Sequence, residues 1–144
     1  MATFEDWLSI CETKAQYCRC LDTKDWDGLS DCYTQDLVLD SRPIRDAVIE
    51  GRDAVVANLQ GSLGGMVTVH QVHTPEVRFQ GDEAEVVWAL QDHIIWPEER
   101  REAMKSKAMT GYGHYHERYR KCPDGKWRIA YQRVAKLHTE MHPL

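Results

Sequence analysis

The sequence predicts an α+β fold, with helices in its first half and an antiparallel sheet in its second, on three observations. Apolar residues recur at helical spacing before Leu63, they alternate with period two after Met66, and turn formers separate the alternating runs. Helices followed by consecutive hairpins pack together on one face of a curved sheet. With 144 residues, 42% of them hydrophobic, and no break in composition, residues 1–144 are expected to make a single domain with its own core.

The first helix starts at Thr3, which stands three residues before Asp6 in the spacing of a capping box. Phe4, Trp7, Leu8, Cys11, Ala15 and Cys18 follow at helical intervals and are expected to form the buried stripe, with Ile10, Lys14, Tyr17 and Leu21 beside it. One further turn reaches Asp22, a carboxylate at the end of an apolar stripe. A short second helix is expected after a cap at Thr23 or Asp25, turning Trp26, Leu29 and Tyr33 inward. Residues 37–40 and 44–49 read as short strands hinged at Pro43. Residues 51–63 read as a helix through Val55, Val56, Leu59 and Leu63, ended by Gly64 and Gly65. Four strands follow, over residues 66–79, 84–96, 109–120 and 126–137. Turns at Gln80-Gly81-Asp82 and Pro123-Asp124-Gly125 join two of the pairs, and residues 97–107 make a longer polar connection.

Composition excludes several classes of function. A net charge of −5, with no basic run carrying interleaved aromatics, argues against a nucleic-acid partner, because phosphates demand clustered Lys and Arg. No run of about 18 apolar residues crosses a membrane, and the N-terminus lacks a basic lead and an apolar core, so a soluble cytoplasmic protein without a membrane partner is expected. The five cysteines form an odd set without a CxxC pair, which suits reduced, buried thiols.

Two charges fall in apolar rows. The even positions Ala84, Val86, Trp88, Leu90, Asp92, Ile94 and Trp96 share one strand face, and so do the odd positions Trp127, Ile129, Tyr131, Arg133, Ala135 and Leu137. A lone buried charge is costly, so Asp92 and Arg133 each need a partner, a wet cavity or a task. They either pair with one another as a structural bridge or serve a polar pocket. His70 shares a strand face with Thr68 and Val72. Together with Asp22, the Tyr17 phenol, Asp92 and Arg133 it completes a set of acid, base and charge-stabilising groups.

Metal chemistry is less well supported. In His70-x-x-His73 a regular strand puts the two rings on opposite faces, and His114-x-His116 has no evident third ligand, so no metal and no other cofactor is expected. A glycine-rich phosphate loop, a GxSxG elbow and a Cys-His nucleophile motif are all missing from the chain.

Three stretches carry a resemblance: Leu21-Asp22-Thr23-Lys24-Asp25-Trp26-Asp27, His70-Gln71-Val72-His73-Thr74-Pro75-Glu76-Val77, and Tyr119 through Pro123-Asp124-Gly125-Lys126-Trp127. Through them the chain resembles the SnoaL-like branch of the nuclear transport factor 2-like superfamily, and within it scytalone dehydratase and the bile acid 7α-dehydratases, with the hexachlorocyclohexane dehydrochlorinase further off. The resemblance implies a cone-shaped barrel of strongly curved antiparallel sheet, packed against N-terminal helices around an apolar pocket. It implies cofactor-free elimination by a dyad falling on His70 and Asp22, with Tyr17, Asp92 and Arg133 as further catalytic positions. Tyr112 and His114 lie near a second pocket histidine of scytalone dehydratase, and with Trp88 and Tyr131 they are expected to bind substrate. Leu21 and Ser41 stand where scytalone dehydratase has tyrosines, a departure that bears on the substrate. The partner implied is a small hydrophobic, cyclic hydroxy-carbonyl compound, and the assembly a homodimer or homotrimer. An isomerase or polyketide cyclase using the same base, and a non-catalytic binding or oligomerisation module, are the alternative readings.

Overall fold

The computed structural model describes residues 1–144, which form four helices and one seven-stranded sheet. In chain order they are α1 (Phe4–Thr23), α2 (Trp26–Ser30), β1 (Tyr33–Asp40), β2 (Val48–Glu50), α3 (Arg52–Leu63), β3 (Val67–Val72), β4 (Glu76–Gln80), β5 (Glu83–Ile95), α4 (Glu98–Met104), β6 (Ala108–Lys121) and β7 (Trp127–His142). The sheet runs β2-β1-β7-β6-β5-β3, and β4 also pairs with β5. The α+β class is as expected, and the sheet is curved but not closed. One pairing departs from the expectation of an antiparallel sheet: β1 lies parallel to β7. None of the helices is long and apolar enough to cross a membrane.

The capping box at Thr3 forms, with Thr3 Oγ1 accepting from the Asp6 amide at 3.2 Å and Asp6 Oδ2 accepting from the Thr3 amide at 2.9 Å. The face that α1 buries is nonetheless rotated from the apolar stripe read in the sequence. Phe4 and Leu8 are exposed, while Asp6, Ile10, Thr13, Lys14, Tyr17 and Leu21 are buried. Polar side chains can occupy this face because the sheet supplies partners: Trp127 Nε1 and Lys121 Nζ donate to Asp6 Oδ1, and Thr13 Oγ1 donates to the Trp127 carbonyl.

Asp25 caps α2 as expected, but Tyr33 belongs to β1 rather than to the helix. The long strand expected over residues 66–79 is two strands, β3 and β4, broken at His73-Thr74-Pro75, where proline removes a ladder donor. The polar connection before β6 contains α4. Along β5 the alternation holds, and Ala84, Val86, Trp88, Leu90, Asp92 and Trp96 are all buried.

Along β7 it does not. Tyr119 pairs with Ile129 and Arg118 with Tyr131, so Ala130 is an extra residue in the ladder, and Leu137 is a second one. Past the bulge at Ala130 the inward set changes from Trp127 and Ile129 to Gln132, Val134 and Lys136. The apolar core lies between the concave sheet face and α1, α2 and α3.

Candidate active site

A cavity of about 180 Å³ opens between α1, α3 and the concave face of the sheet. Leu21, Leu39, Leu59, Leu63, Ile94 and Val134 give it apolar walls, and Ile44 and Arg45 of the β1–β2 loop stand at its mouth. Polar groups reach it from β1 and α3, through Asp40, Asn58 and Ser62, and from Tyr17 on α1, His70 on β3, Asp92 on β5, Tyr115 on β6, and Gln132 with Lys136 on β7.

Asp22 and His70 meet although 48 residues separate them in the chain. His70 Nδ1 lies 2.7 Å from Asp22 Oδ1, the His70 amide donates to Asp22 Oδ2 at 2.8 Å, and Thr68 Oγ1 donates to Oδ1 at 2.9 Å. Lys24 Nζ donates to Thr68 Oγ1 at 2.8 Å, extending the network to the end of α1. An ionised carboxylate only accepts, so Nδ1 carries the proton, and in the neutral imidazole the lone pair lies on Nε2, which has no protein partner.

His70 pairs directly with Asp92 across the β3–β5 ladder, so the second carboxylate stands beside the dyad. Its cation is Lys136, whose Nζ lies 2.5 Å from Asp92 Oδ2; Asp92 Oδ1 is buried without a donor. Tyr17 is buried on the cavity wall, and its hydroxyl lies 3.5 Å from that of Tyr115. Burial pushes both phenols well above the usual tyrosine range, with Tyr115 as a further raising cause for Tyr17 and Cys18 for Tyr115, so both are protonated donors at neutral pH.

Five residues singled out in the sequence lie elsewhere. Arg133 is on the outer sheet face, opposite His116, because the Ala130 bulge inverts the alternation that would have turned it inward. His116 is itself held below the usual histidine range by burial, and then by Arg133 and His114. His114 shares that face, its ring centroid 6.4 Å from that of His116. Tyr112 is exposed and stacks on His138. Trp88 is buried in the core away from the cavity, its indole N–H without an acceptor. Tyr131 lies outside the cavity and touches it only indirectly: its hydroxyl donates to Asp40 Oδ2 at 3.0 Å, and Asp40 lines the cavity. The Arg42 guanidinium beside Asp40 keeps that carboxyl well below the usual range.

The sequence reading missed Tyr115, Gln132 and Lys136. Tyr115 was visible only as one of two tyrosines in the odd row of β6, where Gly111, Gly113 and Glu117 interrupt the apolar pattern. Lys136 was not, because a bulge leaves no period-two signal. No three His, Cys, Asp or Glu side chains converge into a group able to hold a metal ion.

Helices folded over an open curved sheet, with a histidine–carboxylate dyad facing a cavity, define a class of small pocket-forming α+β domains. The SnoaL-like domain family matches residues 2–133, and the chain belongs to that family. The scytalone dehydratase-like protein AacuK of Aspergillus aculeatus is 29% identical over 135 residues, which cover 88% of this chain and 76% of that protein. In fold, the chain is similar to the Kfla4162 protein from Kribbella flavida, with a TM-score of 0.86 at 20% identity over 94% of this chain and 93% of the other. It is likewise similar to a type 2 hexachlorocyclohexane dehydrochlorinase, with a TM-score of 0.78 at 14% identity over 95% of this chain and 87% of the other.

Proposed function

We propose that this chain is a cofactor-independent lyase that removes water from a small hydrophobic, cyclic hydroxy-carbonyl compound. One observation carries the reading: on the cavity wall, His70 has Nδ1 bound by Asp22 and Nε2 free of protein partners. An imidazole fixed in this tautomer is a general base, and the carboxylate behind it stabilises the imidazolium that forms. His70 Nε2 takes a proton from the carbon next to the carbonyl, and the C–H electron pair moves to give an enolate. As the enolate collapses, the hydroxyl on the adjacent carbon takes that proton and leaves as water, giving an unsaturated carbonyl product. Tyr17 donates to the carbonyl oxygen, where negative charge develops. Lys136, held by Asp92, supplies the positive charge on the cavity wall.

The size of the cavity supports a compact substrate. An apolar cavity of about 150 Å³ accommodates benzene, so about 180 Å³ encloses one ring and leaves anything larger to extend through the mouth. The names of the two similar proteins, one dehydratase-like and one a dehydrochlorinase, agree with an elimination.

The test is a panel of cyclic β-hydroxy ketones incubated with the protein in deuterium oxide and followed by mass spectrometry. Loss of water is expected, abolished in His70→Ala with the thermal midpoint retained, and indifferent to chelators. Deuterium entering the α-carbon with the hydroxyl kept would replace the lyase by an isomerase. Turnover that survives His70→Ala would sink the proposed base.

A further inference from the structure

Lys14 is fully buried, and its ammonium donates to the equally buried Glu117 at 2.6 Å. Glu117 is saturated from other directions too: Gln132 Nε2 donates to Oε1 at 2.6 Å and the Tyr119 hydroxyl to Oε2 at 2.8 Å. Tyr33 in turn donates to Gln132 Oε1 at 3.4 Å. A buried ion pair is poor evidence of stabilisation, because apolar side chains of similar volume commonly serve as well. Its position shows a different use. Lys14 Nζ lies 3.4 Å from the ring centroid of Tyr115 and 4.1 Å from that of Tyr17, so one cation faces both phenols. Those rings meet edge to face, with centroids 5.9 Å apart.

The two hydroxyls share a single contact at 3.5 Å, which is long for an O–H···O bond. At least one O–H proton therefore has no acceptor in the protein, and both residues line the cavity. Two neutral donors with a spare proton on a cavity wall are suited to an oxygen that carries negative charge. A cation against the ring faces draws electron density from the phenols and strengthens them as donors, and it holds the rings where the hydroxyls converge.

We infer that Tyr17 and Tyr115 form a two-phenol site for an anionic oxygen of the ligand, and that Lys14, fixed by Glu117 against both rings, is its positioning residue. The assignment of that oxygen as an enolate rests on the lyase reading; the binding site itself does not.

The experiment uses 4-nitrophenol as probe, because its phenol and phenolate forms absorb differently and no turnover is needed. The wild-type protein binds the phenolate more tightly than the phenol, so the bound probe ionises at lower pH than the free one. Tyr17→Phe and Tyr115→Phe each weaken phenolate binding about tenfold or more, as expected for one hydrogen bond to a charged group. Lys14→Met/Glu117→Gln, which strands no charge, loses the phenolate preference while keeping affinity for the neutral phenol; Lys14→Arg restores part of it. If the double variant does not fold, Glu117→Gln alone is measured, and the same loss is expected because Lys14 is then no longer held. Equal affinity of the wild type for both forms overturns the site. An unchanged preference in a folded Lys14→Met/Glu117→Gln protein, or in Glu117→Gln, overturns the role of Lys14. A failed dehydration assay beside intact phenolate binding would remove the lyase reading and leave this site standing.

Discussion

Asp92 on β5 and Lys136 on β7 form an ion pair across the intervening strand, over Gly111. Gly111 is the register partner of Asp92, and a Cβ at that position would run into both Asp92 Oδ1 and Lys136 Nζ. A glycine is thus required in β6 for the two charges to meet.

Lys136→Met leaves Asp92 buried with neither oxygen paired, and it should cost about 3 kcal/mol of stability. Arg133→Ala, on the outer face, should change stability by no more than about 0.5 kcal/mol. Chemical denaturation of the two variants side by side checks this, and a reversed order would return the pairing to Arg133.

Gly111→Ala should separate the pair by pushing the flexible Lys136 ammonium aside, at a cost of about 1–3 kcal/mol. A thermal midpoint unchanged from wild type would mean that the sheet absorbs the methyl group without disturbing Asp92.

Asp22→Asn keeps the shape of the dyad but removes the charge that orients Nδ1–H and stabilises an imidazolium. Turnover should fall about 10²- to 10⁴-fold, with stability reduced by about 1–2 kcal/mol through weaker bonds to Thr68 and the His70 amide. Steady-state kinetics beside a melting curve separates the two effects.

Asp6 is one of the carboxylates expected to shape the acid limb of stability. Its bond from Lys121, followed by those from Trp127 and Thr3, holds the carboxyl well below the usual carboxylate range. A depressed carboxylate contributes its stability above the unfolded-state value of about 3.9, and that contribution is lost as pH falls through the lower folded-state value. Melting temperatures followed downward from neutral pH should drop in this acid window, and Asp6→Asn should flatten that part of the curve. A variant with the same acid limb as wild type would assign the transition to other carboxylates.

Much of this architecture was legible in the sequence, and the failures have identifiable causes. The capping box, the α2 cap, the α3 helix and the whole inward row of β5 follow from local spacing, which short-range physics fixes. The buried face of α1 was misjudged because Asp6 and Lys14 look like solvent-facing residues until Trp127, Lys121 and Glu117 arrive from the far end of the chain. Asp22 and His70 could be singled out as chemistry-bearing residues, yet the bond between them joins helix end to sheet and is set by tertiary packing. Arg133 was misplaced because a two-residue period cannot register an inserted residue.

β7 carries two cations three residues apart, Arg133 and Lys136, which that odd spacing turns to opposite sides of the sheet, and the bulge at Ala130 makes Lys136 the inward one. Local backbone conformation thus decides which of them faces the cavity and which the outer face. Were the ladder to run through Ala130 as a regular strand, Tyr131, Arg133 and Ala135 would take the places of Gln132, Val134 and Lys136. Glu117 would then lose the amide of Gln132, and the cavity would trade an ammonium for a guanidinium.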